Sequence, residues 1–374
     1  MLKVPRIGAA LLCAAMAPTA HAQGALGASY NDQFGELDYR DLEKSGAKWV
    51  RMSLPLPQLD RGVGSNGVLN KILEASERGY STVLSLKLGY VGTIPPQLGS
   101  DAWRKDVARL DAVLALVTGK VDVLVIGNDP FLEVPEKNRN DNFNAYYEAV
   151  ARQVIAHRAK NCPASCKTRL YMGALVRLEM PAERSKAVER WMGFVKATPE
   201  IDGVAIQTHV GEVDESRAYL KYILPRLRPE QKFVVTDFSL VKAWEQNMRG
   251  EIPRAFADKY GAPRNAQNWQ IVKASLETPF SKAQWDEFLS QSPWLESRKH
   301  FVANQMQIFR DTGRLAVATI AFTQGAAPAG KLSPGAAAWQ LNSVVVRRSA
   351  KRNPDGSAAF NYAWIDDFKA LQKQ

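Results

Sequence analysis

The sequence predicts a single-domain α/β protein folded as a (β/α)8 TIM barrel. Short apolar runs rich in β-branched residues alternate strictly with amphipathic segments, eight of each, between Leu26 and Val346. Such alternation requires a parallel sheet, because parallel neighbours need a crossover connection, usually a helix. Eight units over about 325 residues fit a closed barrel with insertions. No glycine-rich phosphate loop follows any apolar run, which places a doubly wound open sheet behind the barrel as an alternative.

The first strand is expected over 26–30, followed by a helix over Tyr39–Ser45 that stops at Gly46. Residues 48–54 read as the second strand, halted by Pro55 and Pro57. A helix over 68–78 is closed by Gly79, which readily takes the left-handed turn at a helix end. Residues 80–88 form the third strand. Over 102–118, Val107, Leu110, Val113, Leu114 and Val117 recur at helical spacing. The strand 121–127, helix 143–159, strand 169–176, helix 185–197, strand 201–210, helix 215–227 and strand 232–240 continue the pattern. A long loop insertion, 241–295, follows strand seven. Helix 298–312, strand 315–323 and a last helix over 336–346 complete the barrel. Residues 347–374 are left as a basic C-terminal tail, with a terminal amphipathic helix around 362–371 packed on the barrel.

Hydrophobic residues make up 46% and charged residues 23% of the chain. This ordinary globular usage excludes a disordered chain, a collagen and a coiled coil. Beyond the amino-terminal segment, no stretch approaches the roughly 18 uncharged apolar residues of a membrane span.

Residues 1–22 have the layout of a secretory signal peptide. Lys3 and Arg6 are charged, residues 7–17 are apolar, and Ala20-His21-Ala22 supplies a small-x-small cleavage pattern before Gln23. Export to the periplasm or beyond the cell is expected, with the barrel domain over 23–346. Cys13 leaves with the signal. Cys162 and Cys166, close together in a proline-bearing loop, are expected to form a disulfide in an oxidising compartment. The formal charge of +11 suits an anionic partner. Arg347, Arg348, Lys351 and Arg352 form the densest basic cluster, with no nucleic-acid motif beside it. A cell-envelope interaction protein that uses this tail is one reading from a different class.

In such barrels the reactive groups lie at the C-terminal ends of the strands. Those ends carry Arg51 on strand two, Lys87 on three, Asn128 and Asp129 on four, Gln207 and His209 on six, and Asp237 on seven. Strands four and seven face each other across the mouth, so Asp129 and Asp237 are expected to share one hollow. Two carboxyls flanking a cleft are what glycoside cleavage needs. One protonates the leaving oxygen; the other attacks the anomeric carbon or activates water.

Over roughly residues 25–346 the chain resembles the clan A (β/α)8 glycoside hydrolases. In that clan strand four ends in Asn-Glu, usually followed by Pro, and strand seven ends in a second Glu, often within Thr-Glu-Phe. The corresponding segments here are Asn128-Asp129-Pro130 and Thr236-Asp237-Phe238. The resemblance implies that Asp129 occupies the acid/base position and Asp237 that of the nucleophile. It also implies that Arg51, in Gly46-Ala47-Lys48-Trp49-Val50-Arg51, steadies the nucleophile. Asn128 would bond the sugar 2-hydroxyl, and His209 would line the sugar site. The chain departs from the clan in carrying Asp at both Glu positions. It also lacks the aromatic after strand six, where Gly211 follows Val210, and the Trp at the end of strand eight, where Phe322 is nearest.

Exchanging Glu for Asp pulls each carboxyl back by about 1.3 Å, given a C–C bond near 1.5 Å. On an unchanged backbone, two retractions widen a retaining separation of about 5–5.5 Å to roughly 7–8 Å, inside the inverting range. Three readings stay open at this point. The protein is a glycosidase with Asp129 as acid and Asp237 as base; or its site binds polysaccharide without cleaving it; or the two Asp serve only as turn and helix-start residues.

Trp244, directly after strand seven, is a candidate sugar contact; Trp269, Trp285 and Trp294 either line the mouth or pack the insertion's own core. Lys87 either meets a carboxylate on the substrate or pairs with Asp129 or Asp237. Glycoside cleavage needs no cofactor, and no ligand cluster points to a metal. The expected partner is a polysaccharide or oligosaccharide, with an acidic exopolysaccharide favoured by the net charge, rather than nucleic acid. The expected state is a monomer.

Overall fold

The computed structural model describes residues 24–162, 166–325, 330 and 332–373; the proposed signal peptide lies outside them. Eight strands close a barrel in chain order. They are β1 (Ala25–Ser29), β2 (Trp49–Pro55), β3 (Ser81–Lys87), β4 (Val123–Ile126), β5 (Arg169–Leu175), β6 (Gly203–His209), β7 (Lys232–Ser239) and β8 (Leu315–Ala321). All pairings are parallel, and β1 against β8 closes the ring. Each strand lies within two or three residues of its sequence expectation.

Successive side chains on a strand point to opposite faces, and that alternation builds two cores. Val83, Val123, Val125, Ala205, Val234 and Val317 gather in one buried cluster inside the ring. Leu84, Leu124, Ile126, Ile206, Phe233 and Val235, of opposite parity, join the larger core between strands and outer helices. Each such buried side chain contributes about 1.5–3 kcal/mol relative to exposure. The helices start where small polar side chains can satisfy free backbone amides. Asn66, Ser100, Asn140 and Ser185 cap Gly67–Glu77, Asp101–Val117, Asp141–Asn161 and Lys186–Ala197 in this way. Gly46 ends Tyr39–Ser45 with φ +75°.

Three expectations are corrected. The insertion after β7 is not an extended loop. It contains helices Val241–Asn247, Arg254–Tyr260, Asn268–Glu277, Lys282–Ser290 and Pro293–Glu296. The helix expected over 336–346 does not form. Only a short 3-10 turn, Trp339–Asn342, appears there, and Val345 pairs with Thr323 and Phe360 in isolated β-bridges. Three consecutive valines, Val344 to Val346, favour this extended course. The outer helix beside β8 is instead Ile365–Leu371, which packs against Phe301–Arg310 and Tyr39–Ser45.

Residues 347–373 are therefore built into the wall. Arg347 donates to the buried Asp41 at 2.6 Å, and Arg348 to Glu36 at 2.8 Å. Trp364 and Phe368 are fully buried. The two arginines at the start of the basic cluster hold the fold together, which removes them from a free envelope-binding surface. Cys162 and Cys166 are joined in a disulfide, with Cα atoms 5.1 Å apart. Among the described residues no helix is long and apolar enough to cross a membrane.

Candidate active site

Two irregularities in the sheet place the acids. β4 ends at Ile126, and Gly127 follows with φ +104°. A Cβ at Gly127 would sit 2.1 Å from the Gly173 carbonyl oxygen, so only glycine passes here, and Asn128 and Asp129 emerge at the mouth. On β7 the register slips by one residue, with Ile206 opposite Val235 but Gln207 opposite Asp237. Val234 faces the interior and Val235 the helices. Strict alternation would turn Asp237 outward; the extra residue, Thr236, is a bulge that brings it back inside.

Asp129 and Asp237 consequently line one cavity of about 530 Å³, together with Asn128, Gln207, His209 and Lys87. Each acid has one carboxylate oxygen, Oδ1, that is buried without a hydrogen-bond partner. Beneath them lies Arg51, with no solvent exposure. Its guanidinium donates to Ser29 Oγ at 3.1 Å, Ser85 Oγ at 3.3 Å, Asn128 Oδ1 at 2.6 Å, and Asn31 Oδ1. Asn128 in turn donates through Nδ2 to Asp129 Oδ2 at 2.7 Å. A chain of contacts thus runs from the barrel floor to one acid.

Burial pushes both carboxyls up. Asp129 is raised to about 6 by desolvation, opposed by the charge of Arg51. Asp237 is raised to about 7 by desolvation, again opposed by Arg51 and reinforced by the charge of Asp129. Asp237 thus feels the charge of Asp129 and holds its proton to the higher pH of the two. His209 is pushed the other way, down to about 4, by burial and then by the nearby cation Arg51. It is a neutral ring, held by Ser239 Oγ at 2.8 Å on Nδ1 and Gln207 Oε1 at 3.2 Å on Nε2.

Seven of the eight predicted site residues converge as expected: Arg51 beneath the cavity, and Lys87, Asn128, Asp129, Gln207, His209 and Asp237 on its wall. Lys87 pairs with neither Asp129 nor Asp237; its Nζ lies 3.2 Å from the buried Glu133. Trp244 is the clear correction. It is fully buried, donates through its indole nitrogen to Asn342 at 2.6 Å, and does not line the cavity. Trp294 packs on it at 5.6 Å, Trp285 is buried, and Trp269 is tied to Gln267, so the insertion's indoles serve its own core. The helix directly after β7 tucks Trp244 against the segment that follows β8.

The aromatic at the mouth is Trp339, which the sequence reading passed over. It is 48% exposed, lines the cavity and meets the His209 ring edge-on at 5.0 Å. It stands on the segment taken for a helix; its polar, alanine-rich surroundings after β8 were the only signal. Asn31 was also passed over as an Arg51 partner. It has φ +51°, which Asn tolerates better than most residues. Among the described residues no group of three or more His, Cys, Asp or Glu side chains is placed to hold a metal ion.

No protein-family model matches this sequence, and no curated protein matches it significantly. Solved structures match it in shape. The virulence factor SghA from Agrobacterium tumefaciens superposes with a TM-score of 0.53 at 9% identity, covering 94% of this chain and 96% of that one. A psychrophilic glycoside hydrolase family 10 endo-β-1,4-xylanase gives 0.51 at 10% identity, covering 93% and 96%. Xylanase B from Clostridium stercorarium F9 gives 0.50 at 13%, covering 92% and 96%. The chain shares the (β/α)8 barrel fold of these structures. At these identities the likeness is one of fold, so the chemistry rests on the residues of the cavity.

Proposed function

We propose that this protein is an exported glycoside hydrolase that cleaves a polysaccharide by an inverting route, using Asp129 and Asp237. The observation that carries this reading is the pair itself. Two acids, from the ends of β4 and β7, line one cavity above a single buried guanidinium, and among the described residues neither has an ion-pair partner within 4 Å. Near neutral pH such a coupled pair holds one proton between two groups. That is the charge state in which one donates to the leaving oxygen while the other draws a proton from water. The roles follow the resemblance, with Asp129, steered by Asn128, as the acid and Asp237 as the base; because Asp237 holds its proton to the higher pH, the reacting form is the one in which that proton has passed to Asp129. The retraction of both carboxyls from Glu to Asp length is what supports an inverting route, with a water between them. Export is proposed on the layout of residues 1–22.

The test is a depolymerisation screen over polysaccharides, read by reducing ends and by NMR of the newly formed anomer. Hydrolysis by wild type with inverted product, abolished in Asp237→Asn, supports the proposal. Saturable binding with no product would instead make this a glycosidase-fold binding protein, the reading that the Asp at both Glu positions favours.

A further inference from the structure

Each cation on the cavity wall is tied to an acid outside its lining. Lys87 lies 3.2 Å from Glu133, Lys242 lies 2.5 Å from Glu179, and Arg177 lies 3.7 Å from Glu183. The four acids on the same wall, Asp32, Asp129, Asp237 and Glu245, make no ion pair within 4 Å among the described residues. Arg51 acts on Asp129 and Asp237 from beneath, helped at Asp129 by Lys87, but its guanidinium donates to four neutral side chains and to neither acid. His209 adds no charge, since burial keeps it neutral. Asp237 lines this cavity, is only 7% exposed and has no ion-pair partner among the described residues. A carboxylate desolvated in this way is costly until a counter-charge arrives.

We infer that the substrate carries free ammonium groups, as in a polysaccharide of partly or fully de-N-acetylated amino sugars. An ammonium brings three donors, no acceptor and a compensating charge, and even with one proton shared by Asp129 and Asp237 this wall keeps an excess of acids without a paired cation. A uronate chain would set like charges against them. The chain's overall charge of +11 does not decide the matter. Charges on the outer surface are screened within about 8 Å at physiological salt. The cavity therefore reverses the preference for an acidic polymer that net charge alone suggests. This inference rests on the glycosidase reading and names its substrate class.

The experiment uses the full-length secreted protein and three polymer sets: β-1,4-linked glucosamine, β-1,6-linked glucosamine and α-1,4-linked galactosamine. Each is offered de-N-acetylated and after chemical N-acetylation, alongside polygalacturonate and a neutral glucan, in binding and cleavage assays. The expected result is that at least one de-N-acetylated polymer is bound about tenfold more tightly than its N-acetylated twin, about 1.4 kcal/mol. That preference should weaken with salt and be lost in the Asp32→Asn/Glu245→Gln variant, whose circular dichroism stays that of wild type. Equal or better handling of the N-acetylated, neutral or uronate polymers overturns the charge inference and leaves the glycosidase reading standing. Neither binding nor cleavage of any polymer overturns both.

Discussion

Arg51 donates to the side-chain oxygen of Asn128 at 2.6 Å, linking the charge at the barrel floor to the residue that steers Asp129. Because Arg51 has no exposure, its removal leaves several buried acceptors without a donor and two acids without their nearest cation. Arg51→Ala is expected to cost about 3–5 kcal/mol of stability, measured by urea unfolding at pH 7. A loss under about 1 kcal/mol would show that the network is dispensable.

The roles of the two acids separate by leaving group. A general acid contributes typically 10²–10⁴-fold, and a good leaving group needs less of that help. Asp129→Asn should therefore recover most of its activity on a dinitrophenyl glycoside relative to polysaccharide, while Asp237→Asn stays inactive on both. The reverse pattern would exchange the roles.

Burial raises Asp237 to about 7, well above an unfolded carboxyl near 3.8. The folded state therefore holds this proton more tightly than the unfolded state. Stability falls as pH rises from about 4 through 7 and is then level. Asp237→Asn, which carries no charge, should be more stable than wild type at pH 8 by about 2–4 kcal/mol, with the gap closing at pH 4. Thermal midpoints at the two pH values decide it; an equal gap at both would remove the burial argument. For the same reason kcat/KM should peak between about pH 6 and 7, bounded by the two apparent values of the pair.

Two tryptophans should part company. Trp339 is half exposed at the mouth, and Trp339→Ala should raise KM about tenfold while moving stability by no more than about 0.5 kcal/mol. Trp244 is buried, and Trp244→Ala should cost about 3–5 kcal/mol in a denaturant melt. Equal loss of stability in both would place Trp339 in the core.

Deleting residues 347–374 should unfold the domain or lower its thermal midpoint by at least 10 °C, rather than merely detach a binding tail. Asp41, 1% exposed, would lose Arg347, and the Phe322–Phe368 and Phe301–Trp364 contacts would go. A truncated protein with an unchanged melt would restore the tail reading.

The fold and most of the site were legible for one reason. Strands buried on both faces read as apolar runs, so polar residues at their ends, such as Arg51, Asn128 and Gln207, stand out. What stayed hidden depends on contacts between distant segments. The bulge at Thr236 cannot be read from alternation, because alternation predicts the opposite face for Asp237. Glu133 as the partner of Lys87 follows from the short helix Pro130–Glu133 folding under the mouth. Trp339, and not Trp244, stands at the mouth because the segment after β8 turns rather than coils. Its Asn342 claims the Trp244 indole and leaves Trp339 at the rim.

The side chain of Gln372 donates to the Leu26 carbonyl at 3.1 Å, beside the helix that flanks β8. The pairing of β1 with β8 closes the ring, and this bond clasps that joint from outside. The turn after the last helix therefore acts as a latch on the barrel's closing joint, on the wall and away from the mouth.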